Sequence, residues 1–313
     1  MTKARTSPQI ILSFDVEEHH RIEAAAGLAL DPALRAHYCA RLEPTMRWLL
    51  EQLDRFAIRA TFFIVGEIAR HNPGLVRAVH RAGHEVASHG WDHQRVHNLT
   101  PASFRADVQR SIDALQQVTG EAVVGYRAPT FSIVRETAWA IDVLAELGLL
   151  YDSSIYPVRH DRYGVPGAPR SPFFARGRQH ALLELPPATL RLLGMNLPVG
   201  GGGYFRLLPR FVLNSAIQQM NRDCRPPVVM LYFHPWEFDP RQERLPLSGL
   251  NWLRTYVGVY RSRGRFASLL PKHAFLRAKE VASLLHTHSH LLPHIALAER
   301  PPAPQTPLPV APF

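Results

Sequence analysis

The stretch Gly83-His84-Glu85-Val86-Ala87-Ser88-His89-Gly90-Trp91-Asp92-His93 joins a strand pattern to a pair of histidines. Residues 85–88 are predicted to form a short strand, and His89 and His93 follow it four residues apart. On a helical turn this spacing places both imidazoles on one face, where they can bind a divalent metal ion if a third ligand comes from elsewhere. Other histidine pairs share the spacing, but this pair directly follows a strand, where α/β proteins build their sites.

On both sides of this stretch, apolar segments of strand length alternate with amphipathic helical segments. Proline at predicted helix starts, as in Asn72-Pro73 and Thr100-Pro101, and glycine at helix ends mark the boundaries. The alternation predicts an α/β fold with a mainly parallel sheet or barrel. The predicted strands are residues 10–14, 60–65, 85–88, 123–126, 149–151, 182–186 and 228–233.

Two segments interrupt the alternation. Residues 156–180 are rich in proline, glycine and arginine and are predicted to form a long loop. The stretch Gly200-Gly201-Gly202-Gly203-Tyr204-Phe205-Arg206 lacks the Gly-Lys-Ser/Thr ending of a phosphate-binding loop. We consider two hypotheses for it: a flexible connection, or a lid that presents Tyr204, Phe205 and Arg206 to a ligand.

Polar residues that can carry chemistry follow several of the predicted strands. Because the carboxyl ends of parallel strands meet at one edge, where barrel enzymes build their active sites, we expect these residues to form one site. Asp15 and Glu17 are two residues apart on extended backbone, so both point the same way, and one can act as a base while the other binds metal. The residues in question are Asp15, Glu17, His89, His93, Arg127, Asp152 and His234.

The net charge of +10 and the pI near 10.1 raise the question of an anionic partner. The arginines are scattered and no nucleic-acid-binding motif is present, so we predict a generally basic surface and no nucleic-acid partner. Attraction to an anionic membrane surface stays open as an alternative.

Cysteine usage and the start of the chain indicate a compartment. Cys39 and Cys224 are in no pairing motif, which is typical of reduced thiols. The polar start, Met1 to Pro8, is not followed by the apolar segment of a signal peptide, and no run of about 18 apolar residues is present. We therefore expect a cytoplasmic protein, with peripheral contact to the inner membrane as an open alternative.

From Ile10 to Phe238 the chain resembles the polysaccharide deacetylase family, the NodB-like carbohydrate esterases of family 4. It is most similar to the branch found with exopolysaccharide and exosortase gene clusters. The resemblance implies a deformed (β/α) barrel of about seven parallel strands, a divalent metal, usually Zn²⁺, and hydrolysis of an N-acetyl group on a sugar. We expect one domain over residues 10–285, with an N-terminal arm at 1–9 and a flexible proline-rich tail at 286–313.

The resemblance also implies roles for the residues that match the family's motifs. Asp15 matches the catalytic base, with Arg127 as its charge partner. His89 and His93, from Ser88-His89-Gly90-Trp91-Asp92-His93, match the two histidine ligands. The place of the usual third ligand holds Val16, so Glu17 is the predicted ligand, and Glu18 and His20 compete with it. His234 matches the general acid, and Asp152 sits where the family keeps an acid that tunes this histidine.

The predicted function is removal of N-acetyl groups from an N-acetylhexosamine glycan or exopolysaccharide precursor. An aromatic-rich rim favours a saccharide, because sugar faces stack on aromatic rings, and the backbone N–H of Thr130 is a candidate oxyanion donor. The predicted substrate-binding residues are Trp91, Thr130, Phe131, Tyr204, Phe205, Arg206 and Trp236. Two alternatives stay open: an allantoinase-like amidohydrolase on a small cyclic amide, and a catalytically degenerate relative that only binds glycan.

Overall fold

A computed structural model describes residues 8–297 of the 313-residue chain. Its strands are β1 (Gln9–Val16), β2 (Thr61–Ile64), β3 (Glu85–Ser88), β4 (Gly125–Tyr126), β5 (Tyr151–Asp152), β6 (Phe173–Arg176), β7 (Ala181–Glu184), β8 (Thr189–Leu192), β9 (Met195–Pro198), β10 (Val228–Phe233), β11 (Phe275–Leu276) and β12 (His294–Ala296). Its α-helices are α1 (Pro32–Arg55), α2 (Gly66–His71), α3 (Pro73–Arg81), α4 (Pro101–Thr119), α5 (Trp139–Glu146), α6 (Gly202–Leu207), α7 (Arg210–Asp223), α8 (Gly249–Tyr256), α9 (Val259–Ala267) and α10 (Ala278–Thr287). Within residues 8–297, no helix combines the length and the apolar character needed to cross a bilayer.

The main sheet contains a run of seven strands in the order β10-β1-β2-β3-β4-β5-β7, each parallel to its neighbours. These seven strands coincide with the seven segments expected from the apolar pattern, so the predicted α/β class and mainly parallel sheet are confirmed. Beyond β7, the sheet continues through β6, which is antiparallel to β7, and then β12. The short strand β11 pairs with the start of β1.

The two ends of the parallel run approach each other and close the sheet into a half-barrel. Isolated bridges join Pro187 to Met230 and Gly201 to Tyr232, so the segments that follow β7 and β9 reach β10. Gly201 has to be glycine here, because a Cβ at this position would lie 1.6 Å from the carbonyl oxygen of Tyr232. The glycine-rich stretch therefore serves close backbone approach. A flexible connection is therefore wrong for Gly201, and the stretch continues as helix α6, from which Tyr204 and Arg206, but not Phe205, face a cavity.

Alternate side chains of β1 point to opposite faces of the sheet and belong to two different hydrophobic cores. Ile10, Leu12 and Phe14 face the larger core, which the sheet forms with the surrounding helices. Ile11 faces the inside of the half-barrel, where apolar residues of α10, among them Val281, close the inner core from below. The same inward alternation continues through Ser13 to Asp15, so β1 leads from an apolar floor to a polar upper end.

Some elements were not expected from the sequence. The predicted long loop at 156–180 contains β6, and β8 and β9 form a hairpin outside the main sheet. The first part of the predicted flexible tail is ordered, since His294–Ala296 pairs with Phe174–Arg176 of β6. The composition of these segments conceals the short strands until their pairing partners are known. The rest of the predicted tail, 298–313, and residues 1–7 of the predicted arm lie outside the described residues.

Candidate active site

The carboxyl ends of β1 and β3 bring together the three predicted metal ligands. Glu17, His89 and His93 each offer a ligand atom, and these atoms all lie within 4.8 Å of one another. Nε2 of His93 is 2.5 Å from Oε2 of Glu17. The alternative ligand Glu18 instead pairs with Arg21, at 2.6 Å. Two imidazoles and one carboxylate form a donor set that divalent transition metals accept.

A hydrogen bond from one ring nitrogen of His89 to the backbone of Arg127 fixes the orientation of the imidazole toward this cluster. Its Nδ1 donates a hydrogen bond of 2.7 Å to the carbonyl oxygen of Arg127, so Nε2 keeps a lone pair for a metal. Burial lowers the pKa of His89 to about 4, which keeps the ring in the neutral, ligating form. Burial opposes ionisation of Glu17, but the adjacent His93, together with His234 and His89, holds the Glu17 pKa well below its ordinary value.

The prediction that the two histidines share one face of a helical turn is wrong. Residues 89–95 form an irregular loop, and Gly90 and His93 both have left-handed backbone, with φ of 74° and 66°. The backbone N–H of Trp91 donates to Asp107 on α4, at 2.9 Å, and fixes the loop against that helix. The loop curls the second imidazole back to the first, and their ring centroids are 5.1 Å apart.

Asp15 is held by a buried arginine from the end of β4. The Arg127 guanidinium donates to Oδ1 of Asp15 at 2.6 Å and to Ser13 Oγ at 2.9 Å. It also contacts the carbonyl and the hydroxyl of Ser153, and it lies 4.1 Å from the centroid of the Phe63 ring. Each buried charge therefore has a partner, and the Asp15 carboxylate is fixed in one orientation.

His234, which follows β10, faces the same space from the other side. Its Nε2 is 3.8 Å from Asp15 Oδ2 and 3.9 Å from Glu17 Oε1. Its Nδ1 is 2.8 Å from Oε1 of Glu237. Burial would lower the pKa of His234, but the hydrogen bond and charge of Glu237, with the charges of Glu17 and Asp15, raise it to about 9. The ring is therefore oriented by Glu237 and held as an imidazolium.

The prediction that Asp152 contacts this histidine is wrong. Asp152 lies directly opposite Glu184 on the paired strands β5 and β7, and Oδ1 of Asp152 accepts a hydrogen bond of 2.5 Å from Ser154. Burial raises the pKa of Asp152 to about 6, and burial plus the Asp152 charge raise the pKa of Glu184 well above its ordinary value. Two adjacent buried carboxyl groups favour sharing a proton over carrying two charges.

A cavity of about 330 Å³ opens above Asp15, Glu17 and the three histidines. Five of the predicted substrate-binding residues line it: Thr130, Phe131, Tyr204, Arg206 and Trp236. Thr130 and Phe131 both have left-handed backbone, with φ of 56° and 50°, in the turn at the cavity wall. The indole N–H of Trp236 also donates to Glu17 Oε1, at 3.4 Å, so this ring contacts both the cavity and the predicted metal ligand.

Two predicted substrate-binding residues lie elsewhere. Phe205 faces the core, where its ring centroid is 4.8 Å from that of Phe233, because α6 presents alternate faces to the cavity and the core. Trp91 is buried outside the cavity, where Arg110 of α4 lies 3.8 Å from the centroid of its ring. Arg206 does line the cavity, but it is buried and its Nε lies 2.8 Å from Oε2 of Glu237.

Sequence reasoning missed several residues of the site. Tyr232 lines the cavity and could have been found, because it lies two residues before His234 on the same face of β10. Glu237 also carried a signal, since an acid three residues after His234 can cap the short 3₁₀ helix Pro235–Phe238. Arg162 and Arg254 reach the cavity from a loop and from α8, and no spacing rule connects them to the motifs.

Comparisons with known proteins agree with this geometry. Residues 39–151 match the model of a family described as polysaccharide deacetylase, and residues 153–283 match a domain of unknown function, DUF3473. A peptidoglycan deacetylase-like protein, FGM2, of Gibberella zeae is 34% identical over 109 residues, which are 34% of this chain and 31% of that protein. The aligned region thus spans about a third of that curated relative.

Solved structures share the fold over nearly the whole chain. A putative polysaccharide deacetylase from Mycobacterium smegmatis superposes with a TM-score of 0.57 at 21% identity, covering 96% of this chain and 99% of that one. The PuuE allantoinase superposes with a TM-score of 0.60 at 19% identity, covering 90% and 92%. Both similarities concern the fold. Beyond the fold, the match of residues 39–151, about a third of the chain, shows a region of the polysaccharide deacetylase type, and the motif residues gathered around the cavity agree with it.

Proposed function

We propose that the protein is a metal-dependent hydrolase that removes N-acetyl groups from a glycan containing N-acetylhexosamine. One observation carries the proposal: Glu17, His89 and His93 converge at the end of the half-barrel, with Asp15 and His234 beside them. Amide hydrolysis needs an activated water, a stabilised oxyanion and a protonated leaving amine, and each need has a candidate group here.

The donor set fits a divalent cation, and two histidines with one carboxylate suit Zn²⁺. The neutral His89 ring, fixed through its Nδ1, and the carboxylate of Glu17 are in the forms that metal binding requires. When bound, the cation would polarise the acetamide carbonyl and make a water molecule more acidic.

The chain's own residues would move the protons. Asp15 takes a proton from the attacking water, and Arg127 keeps its carboxylate aimed at the cavity. His234 donates a proton from Nε2 to the leaving nitrogen, because Glu237 holds the opposite ring nitrogen. Thr130, in the turn at the cavity wall, offers its backbone N–H to the developing oxyanion.

The shape and lining of the cavity support a saccharide substrate. Its volume, about 330 Å³, lies within the range of small-molecule sites and holds a sugar residue with its substituents. Phe131, Tyr204, Tyr232 and Trp236 contribute aromatic surface to the wall. The match of residues 39–151 to the polysaccharide deacetylase family supports a polysaccharide, and we propose an exopolysaccharide precursor as the natural substrate.

Acetate release tests this proposal. The protein loaded with zinc should release acetate from a soluble N-acetylhexosamine oligomer and leave allantoin intact. His89→Ala should lose both the bound metal, measured by elemental analysis, and acetate release. His97→Ala, a histidine outside the cluster, is the matched control and should keep both. Turnover of allantoin would favour the amidohydrolase alternative, and stoichiometric metal without acetate release would favour a glycan-binding relative.

We further propose a cytoplasmic location with peripheral contact to the anionic inner membrane surface. Both cysteines are free, which agrees with a reducing compartment, and the net charge of +10 favours anionic surfaces. Cell fractionation tests the location, and recovery of the protein outside the cell would contradict it.

A further inference from the structure

The hairpin formed by β8 and β9 leaves four large apolar side chains in solvent. Leu193 is 89% exposed, Met195 63%, Leu192 52% and Leu197 36%. Single exposed apolar residues are ordinary on protein surfaces, but four within six consecutive positions form a patch. The hairpin is also a separate two-stranded sheet, outside the main sheet.

The turn of this hairpin contains a residue that such turns usually exclude. Leu193 and Gly194 both have left-handed backbone, with φ of 48° and 79°. Such two-residue turns favour Asn-Gly or Asp-Gly, because a branched apolar side chain strains the first position. Leu193 accepts this strain and gains no burial in the folded chain. A residue that violates a local rule without a packing gain points to a function outside the fold.

The chain around the hairpin is strongly cationic. Residues 162–222 contain eight arginines and one acid, Glu184, which is fully buried. The hairpin is fixed to α7 because Gln219 exchanges hydrogen bonds of 2.7 and 2.9 Å with the backbone of Arg191. Around this contact, Arg191, Arg222 and Arg225 are exposed. The exposed acid beside them, Asp223, is paired with Arg222 at 2.7 Å, so positive charge is left over.

We propose that the tip of this hairpin, Leu192 to Met195, inserts into the interface of an anionic lipid bilayer, with Arg191, Arg222 and Arg225 among the headgroups. Apolar tips flanked by arginines are suited to membrane interfaces, where the apolar part enters the acyl boundary and the cations contact anionic lipid. A stable protein interface uses about 20–30 residues a side, and four apolar side chains fall far short of that. The patch therefore fits a lipid surface better than a second protein.

Docking through this hairpin would bring the cavity close to the bilayer. β9 continues through Gly201 to α6, whose Gly202, Tyr204 and Arg206 line the cavity. A glycan carried on a membrane lipid would then be presented to the site. This consequence rests on the proposed deacetylase function, whereas the docking itself does not.

Cosedimentation of the full chain with lipid vesicles tests the docking. The wild-type protein should bind phosphatidylcholine vesicles that contain phosphatidylglycerol, and bind pure phosphatidylcholine vesicles much more weakly. A variant with Leu193→Ser and Met195→Ser should lose binding to the anionic vesicles by at least about tenfold. The matched control carries Leu284→Ser and Leu291→Ser, which remove two exposed leucines elsewhere, and it should bind like wild type.

The proposal is overturned if the wild-type protein does not bind anionic vesicles. It is also overturned if the hairpin variant binds them like wild type. Equal binding to neutral and anionic vesicles would contradict the proposed contact between the arginines and anionic headgroups. A wild-type dimer that the hairpin substitutions convert to a monomer, with no vesicle binding in either, would instead assign the patch to self-association. Acetate release from a soluble oligomer is measured in parallel. The hairpin variant should retain it, so failure of the docking and failure of the deacetylase proposal are told apart.

Discussion

Asp15 and Asp152 are both buried acids at the ends of strands near Arg127, yet the molecule gives them opposite surroundings. Asp15 receives the guanidinium directly, at 2.6 Å, and opens to the cavity. Asp152 has a second acid, Glu184, opposite it, while Arg127 contacts the intervening residue, Ser153. In the first arrangement, a buried arginine fixes a carboxyl group beside the cavity. The second arrangement favours a proton shared between two carboxyl groups on the paired strands β5 and β7. Position after a strand therefore does not by itself define a catalytic acid.

The same substitution at the two positions gives the largest expected contrast. Asp15→Asn should lower kcat by about 100- to 10,000-fold, the usual worth of a general base, while bound zinc is retained. Asp152→Asn should leave kcat close to wild type, because this carboxyl group contacts neither the cavity nor His234. Acetate-release kinetics and metal analysis on both variants check this contrast. Loss of metal in Asp15→Asn would make Asp15 a ligand, and equal losses of kcat would erase the difference.

A smaller effect is expected when the partner of His234 is changed. In Glu237→Gln the carboxylate that raises the His234 pKa to about 9 is gone, so the pKa should fall toward its ordinary value. A general acid must be protonated, and the alkaline limb of the pH–rate profile should therefore move to lower pH by up to about two and a half units. At pH 7 the loss of kcat would be about fourfold.

The pH–rate profile of Glu237→Gln separates positioning from a purely structural role. Circular dichroism should show the variant folded, which matters because Arg206 loses its charged partner. Asp152→Asn is the matched control and should leave the alkaline limb in place. If Asp152→Asn moves the limb and Glu237→Gln does not, the assignment of the histidine's partner is reversed.

The last expected effect is on the stability of the protein rather than on the rate, and it comes from the acid pair Asp152 and Glu184. The unfolded chain releases its carboxyl protons near pH 4, whereas the folded chain retains one above that pH, because burial raises the pKa values of Asp152 and Glu184. The free energy of unfolding should therefore fall as the pH rises from about 4 toward 8.

Replacing one acid of the pair should flatten this dependence. In Glu184→Gln an amide can donate to Asp152 in place of the shared proton, and we expect a gain on the order of 1–3 kcal/mol at pH 8 relative to pH 4. Urea denaturation at several pH values measures it. Parallel curves for wild type and variant would show that the pair carries no shared proton.

The comparison also shows what the sequence could predict. The sequence could place Glu17 and His89 in the candidate site because each directly follows a strand. Parallel pairing of β1, β2 and β3 brings the carboxyl ends of these strands together. Asp152 obeys the same rule, and the contact predicted for it failed because its surroundings depend on β7. That strand pairs beside β5 only after the chain has passed through β6.

Two residues were predicted with the wrong surroundings because their contacts join distant segments. Gly201 was interpreted as part of a flexible or mobile stretch, although the nearby Tyr232 carbonyl, which no local pattern reveals, is what excludes a side chain there. Likewise, Arg206 was predicted to bind substrate, and its contact with Glu237 exists only because α6 folds against the end of β10. Local patterns predict strands and the residues beside them, while pairs across the half-barrel need the tertiary structure.

The position of β1 between β2 and β10 has a consequence for how the site comes into being. Ser13 bonds the carbonyl of Leu231, so the two contact partners are 218 residues apart in the chain. The entropic cost of closing a loop of this length is only about 2 kcal/mol greater than that of closing a 20-residue loop. Contacts between residues so far apart in the chain nevertheless slow folding. The proposed metal ligands all lie within the first 93 residues, whereas the proposed proton donor, His234, follows β10. A nascent or truncated chain that ends before β10 contains the proposed ligands but lacks the proposed acid, so the proposed catalysis would require the whole half-barrel to be closed.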